Sequence, residues 1–150
     1  MSARTRHEPR RRARRRALQA VYQWQITNQS ADEILRQFRE AQDMTGVDED
    51  YFQRLLRGVC SGQEVLDEAL QPFLDRPLVQ VDQMERAVLR IGAWELRNCP
   101  ELPYRVILDE CVDLEHRFGS EQGHSFVNAV LDKAARSWRA VEIEATAGPA

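Results

Sequence analysis

No stretch of this 150-residue chain approaches the ~20 consecutive apolar residues of a membrane-spanning helix. The first residues also lack the apolar core of a secretory signal, so a cytoplasmic protein is expected. An Arg-rich leader can also be a mitochondrial transit peptide, but here the arginines run straight into an apolar helix pattern that cleavage would truncate. Cysteine is scarce. Cys60, Cys99 and Cys111 are odd in number and have no cysteine or histidine at zinc-ligand spacing, which predicts inert thiols and no metal site. A glycine-rich phosphate loop and a nucleophile-elbow serine are both missing. His7, His116 and His124 are far apart in sequence. The carboxylates Asp109, Glu110, Asp113 and Glu115 are spread around one helix and read as a solvated face rather than an acid/base pair. No catalytic residue and no cofactor are expected.

What is present is an uneven distribution of charge. The net charge is −3, yet Arg4 to Arg16 hold eight of the 21 basic residues and one of the 24 acidic ones. That segment carries +7 and the rest of the chain −10. A basic tip on an acidic body points to a polyanionic partner for the tip. Arginines crowded at a helix start repel one another and oppose the helix dipole, and a nucleic-acid backbone relieves both by clamping phosphates and releasing counterions.

Apolar residues recur at three- and four-residue steps and nowhere alternate with a period of two, so the fold class is all-α, with one domain expected from 43% hydrophobic residues in this length. A first helix from about Pro9 to Asn28 buries Ala13, Ala17, Ala20, Val21 and Trp24. Ser30 with Glu33 opens a second helix, ended by Gly46, and Asp48 caps a third. Asp82 with Glu85 opens a central helix that is apolar on most sides; Pro103 starts the next, which stops at Gly119. A last helix spans about Glu121 to Arg139. The expected organisation is a disordered basic arm over 1–9, a helical domain over 10–139 and a disordered tail over 140–150.

At 100° per residue, Arg11, Arg15, Leu18 and Tyr22 line up away from the apolar stripe of the first helix, either as a docking edge beside the arginines or as a face buried by the second helix. In the last helix Phe126 falls off the Val127, Val130, Leu131, Ala134 and Trp138 stripe, on the side of Ala129 and Lys133. An aromatic beside a cation can stack a single-stranded base; it can also be edge-of-core packing.

The runs Arg10-Arg11-Arg12-Ala13-Arg14, Ala20-Val21-Tyr22-Gln23-Trp24-Gln25, Glu85-Arg86-Ala87-Val88-Leu89-Arg90-Ile91, Pro103-Tyr104 and Phe126-Val127-Asn128-Ala129-Val130-Leu131-Asp132-Lys133 together resemble the NusB family of bacterial transcription antitermination factors, collinearly from about Arg10 to Arg136. The resemblance implies six to seven helices in two packed sub-bundles and no cofactor. It also implies binding to the single-stranded boxA element of nascent rRNA operon transcripts, paired with the ribosomal protein NusE, within an antitermination complex on RNA polymerase. It places Arg6, Arg10, Arg11 and Arg14 at RNA-contacting positions, Gln122 and Phe126 on a second RNA patch, and Tyr22 and Glu85 at the protein interface. With the helical faces, the RNA-binding set becomes Arg6, Arg10, Arg11, Arg14, Arg15, Gln122, Phe126 and Lys133, and the partner set Leu18, Tyr22 and Glu85. Two departures stand out. Arg15 and Arg16 make the basic run heavier than is usual, and Ala129 stands where relatives commonly have glycine.

Two other functions compete. The same fold occurs as the RNA-binding N-terminal domain of an rRNA cytosine methyltransferase, for which this chain is expected to be too short. A sequence-independent basic helix would bind duplex nucleic acid or acidic membrane equally well. Whether the free protein is a monomer or a homodimer stays open.

Overall fold

In a computed structural model, which describes residues 3–147, every regular element is helical. Side chains are described for residues 7–145. The chain divides into two compact units, Met1–Gln63 and Glu64–Ala150.

The first unit holds α1 (Ala3–Thr27), α2 (Ala31–Ala41) and α3 (Glu49–Ser61). Helical backbone begins at Ala3 rather than near Pro9, so Pro9 lies inside α1. Ala13, Ala17, Ala20 and Val21 are fully buried as the periodicity requires, whereas Trp24, expected with them, is only half-buried near the end of α1, where Asn28 turns left-handed at φ 59°. Ser30 caps α2 by accepting from the Glu33 N–H at 3.1 Å, and Asp48 caps α3 by accepting from Tyr51 at 3.1 Å. The α2–α3 turn passes through Gly46 at φ 73°, a conformation costly for any residue with a β-carbon. Such a carbon would also collide with the Arg12 guanidinium lying across the turn. α2 ends earlier than expected, at Ala41, and Gly46 belongs to the turn itself.

The second unit holds α4 (Gln63–Leu70), two short 3₁₀ turns (Gln71–Phe73 and Leu78–Gln80), α5 (Gln83–Asn98), α6 (Tyr104–Phe118), α7 (Gly123–Trp138) and α8 (Ala140–Ala147). α5 is its centre: every residue from Ala87 to Leu96 is buried, each large aliphatic among them contributing about 1.5–3 kcal/mol. Asp82 starts α5 by accepting from Met84 and Glu85 at 3.0 and 3.3 Å. Two arginines are structural. Arg90, 5% exposed, pairs bidentately with Asp67 at 3.0 and 2.8 Å. Arg139 donates to the Leu96, Cys99 and Leu102 carbonyls at 2.8–2.9 Å, satisfying the end of α5 and the turn after it. The expected last helix is α7, and a further helix, α8, occupies part of the segment expected to be a disordered tail.

Candidate nucleic-acid interface

The arginines of α1 divide into three stripes, because residues four apart share a face. Arg10 and Arg14 face α3, where their guanidinium carbons lie 4.8 and 5.5 Å from the Tyr51 ring centroid. Arg14 is only 2% exposed, so its side chain belongs to the core of this unit rather than to an open phosphate-binding face. Arg11 and Arg15 form the middle stripe, both half-buried. Arg12 and Arg16 face the α2–α3 turn. Arg16 donates through Nε and Nη2 to the Asp43 carbonyl at 3.1 and 2.9 Å, and Arg12 donates to the Thr45 carbonyl at 3.3 Å. Arg6 lies on the helical backbone of α1, but its side chain is outside those described.

The docking edge expected on α1 is corrected at Leu18. Its side chain is fully buried, because the stripe that leaves the alanine face on a wheel is covered within the protein. Tyr22, on the same stripe, is half-buried.

In the second unit Phe126 is half-buried, and the Arg76 guanidinium sits over its ring, 5.1 Å from the centroid. Gln122, Ala129 and Lys133 are exposed, Lys133 two turns along α7 on the side of Phe126. Arg76 is a cation that sequence reasoning missed; it is 50 residues away and no helical period links it to α7. Asp75 pairs with it at 2.8 Å.

Glu85 is half-buried at the start of α5, and burial and then Asp82 push its carboxyl above the usual range, opposed by Arg76. Behind it lies Glu115, fully buried, with neither carboxylate oxygen hydrogen-bonded. A β-carbon on Gly123 would collide with Oε1 of both residues, so the two carboxylates converge where α7 begins. The solvated face expected for the acidic cluster of α6 is thus corrected. Asp109 is exposed, while Glu110 and Glu115 are buried, because they flank the apolar stripe of Ile107, Cys111 and Leu114 on its two sides. His116 near the end of α6 and His124 near the start of α7 stack with ring centroids 4.2 Å apart. No group of three or more histidine, cysteine or acidic residues suited to a metal occurs among the described residues.

Within the second unit the expected positions Gln122, Phe126 and Lys133 therefore share α7 with Arg76 beside them, and within the first unit Arg10, Arg11 and Arg15 present cationic groups along one helix. Neither arrangement holds convergent nucleophile, base and acid groups; both suit electrostatic and stacking contact with a polyanion.

Comparison with known proteins gives consistent relatives. The NusB family profile matches residues 11–136. A transcription antitermination protein NusB of Nitrosococcus oceani is 53% identical over 136 residues, covering 91% of each chain. Its namesake from Xanthomonas axonopodis pv. citri is 51% identical over 131 residues, covering 87% of this chain and 82% of its own. Among solved structures, a complex described as antitermination factors NusB and NusE with double-stranded RNA aligns at TM-score 0.80 and 23% identity, covering 91% of this chain and 99% of that one. NusB of T. maritima aligns at TM-score 0.72 and 26% identity, covering 83% and 90%.

Proposed function

The chain belongs to the NusB family, and on that premise we propose that it is a transcription antitermination factor. In this reading it binds the boxA element of nascent rRNA operon transcripts together with the ribosomal protein NusE, as part of an RNA polymerase antitermination complex. The observation that carries the reading is the row of arginines on α1, with Arg10, Arg11 and Arg15 all only partly buried on a helix anchored to the α2–α3 turn. A rigid cationic row gives affinity for a phosphate chain without ordering a flexible arm first. Phe126, with Arg76, Gln122 and Lys133, is the second RNA patch, where a base would stack on the ring beside the Arg76 cation. Tyr22 and Glu85 are the partner-facing groups. The protein acts by binding, in the cytoplasm, with no chemical step or cofactor of its own. Among the described residues no helix is long and apolar enough to cross a membrane.

A titration of boxA RNA, a scrambled single strand and an RNA duplex, each with and without NusE, tests this directly. Tightest binding to boxA in the presence of NusE is expected. Equal affinity for all three RNAs would leave only a sequence-independent basic helix.

Two variants probe the individual surfaces. Phe126→Ala should weaken boxA binding about tenfold, within the ~1–3 kcal/mol of a stacked base, while the melting temperature moves by a few degrees at most. A loss of ~3–5 kcal/mol in stability with RNA affinity intact would instead mark the ring as core. Glu85→Arg should abolish NusE capture and leave binding to RNA alone nearly unchanged, because reversing an interfacial charge costs several kcal/mol. Undiminished capture would move the interface elsewhere.

A further inference from the structure

The α2–α3 turn and α1 enclose a cleft of about 280 Å³ lined by Arg12, Arg15, Arg16, Asp43, Thr45 and Val47. We propose that this cleft is a phosphate-binding site that seats a backbone phosphate of the RNA strand beyond those held on the Arg10/Arg11 face; it rests on the RNA-binding reading above.

Its walls are prepared for an anion. Arg16 is clamped by its two bonds to the Asp43 carbonyl and a third to Gln19 Oε1 at 3.3 Å. Arg12 is held by the Thr45 carbonyl and by Glu8 at 3.5 Å. Each guanidinium has five N–H groups, so both keep donors in excess of those spent on the turn. Arg15 has neither a hydrogen bond nor an ion pair among the described residues, and it lies one turn from Arg11 on the same stripe. It therefore links the Arg10/Arg11 face to the cleft. The turn is itself braced, with Asp43 Oδ1 accepting from Thr45 N at 3.0 Å, Asp48 N donating to the Pro9 carbonyl at 3.1 Å, and Gly46 left-handed.

Three guanidinium groups line the cleft with one carboxylate, Asp43, and a second, Glu8, pairs with Arg12 from outside the lining, which leaves three positive charges against two negative. Hydrogen bonds from Thr45, then the charges of Arg16 and Arg12, hold the Asp43 carboxyl below its usual range, so it stays ionised and the cleft keeps a surplus of positive charge. Fixed guanidinium forks suit the tetrahedral oxygens of phosphate. The two extra arginines of the basic run, Arg15 and Arg16, are both in this cleft, which gives the heavier run a place to act.

The test uses the full chain and two lengths of single-stranded RNA, a boxA core and the same core extended by a few nucleotides at either end, read by fluorescence anisotropy at low salt. In the unmodified protein one extension should tighten binding about three- to tenfold. Arg16→Gln should remove that gain, and Asp43→Asn should enlarge it, since the amide oxygen still accepts from Thr45 N while the opposing charge is gone. Affinity for the core should stay the same in all three proteins, with thermal melting confirming that each is folded. An extension that tightens binding equally in all three, or in none, overturns the site. If no RNA binds at all, the RNA-binding reading itself has failed, and pyrophosphate decides the cleft alone. Saturable shifts of the Arg15 and Arg16 Nε–H resonances would support a site for free phosphate compounds, and unmoved resonances would eliminate it.

Discussion

Replacing Arg10 and Arg11 together by alanine is expected to weaken RNA binding by about 10- to 100-fold at low salt and to lower the slope of log affinity against log salt by roughly two, one for each phosphate that is no longer neutralised. Stability should fall little. Arg10 gives up a cation–π interaction with Tyr51, worth about 0.5–1 kcal/mol at such a site. Arg14→Ala should do the reverse, because its side chain is 2% exposed against the Tyr51 ring and truncation leaves a hole in the first unit. Melting should drop by several degrees and the salt slope should hardly change. The family resemblance groups Arg14 with the phosphate-binding arginines; burial separates it. An unchanged salt slope in the Arg10/Arg11 variant would remove α1 from the RNA interface, and a reduced slope with normal melting in Arg14→Ala would return Arg14 to it.

The contrast shows what the sequence could carry. The helices were legible because their stripes are long and their caps local. Ser30, Asp48 and Asp82 each accept from the N–H groups that capping chemistry requires, and α5 reads as central because it is apolar on most sides. α8 was not legible, since its segment offers only Val141 and Ile143 as large apolar residues. The arginine row was visible as a charge run, but its division into Arg10/Arg14, Arg11/Arg15 and Arg12/Arg16 faces depends on which neighbour covers each stripe. Tyr51 and the Asp43–Thr45 turn are tens of residues away, so no local pattern announces them. Leu18 shows the same limit, as its place on the wheel is compatible with either docking or burial and packing decides. On α7 the period isolates Phe126 correctly from the apolar stripe, but Arg76 reaches it from a 3₁₀-rich connection without periodicity. Glu115 was hidden for a different reason: a carboxylate among carboxylates reads as solvated, and only the fold reveals that it is closed off beside Glu85.

That enclosed carboxyl makes the second large effect a pH dependence. Burial, reinforced by the charges of Glu85 and Asp82, pushes Glu115 from 4.5 up to about 7. The groups around it are Glu85 and Asp82 at the start of α5 and the backbone of Gly119, Ser120 and Gly123 at the α6–α7 turn; Arg76 acts on Glu85 from the preceding connection. In the unfolded chain Glu115 ionises at its ordinary value, so between about pH 4.5 and 7 the folded state holds a proton that the unfolded state has released. Stability from this group is therefore full below about 4.5, falls through that window and is lost above about 7. The whole span corresponds to about 3 kcal/mol as an upper figure, at about 1.4 kcal/mol per pH unit. Glu115→Gln cannot ionise. It should match the unmodified protein near pH 4.5 and exceed it at pH 8 by about 2–3 kcal/mol, or roughly 5–10 °C in melting temperature for a chain of this size. Because the Glu85 and Glu115 carboxylates converge at the first residue of α7, the helix that carries Phe126, RNA binding should also hold up better at alkaline pH in the variant if the repulsion of two adjacent charges loosens that helix start. Melting curves from pH 4.5 to 8.5 decide the matter. Parallel profiles for the two proteins would mean that Glu115 is solvated or paired when the protein is in solution, and a Gln variant less stable at every pH would mean that its carboxylate is a required partner rather than a buried liability.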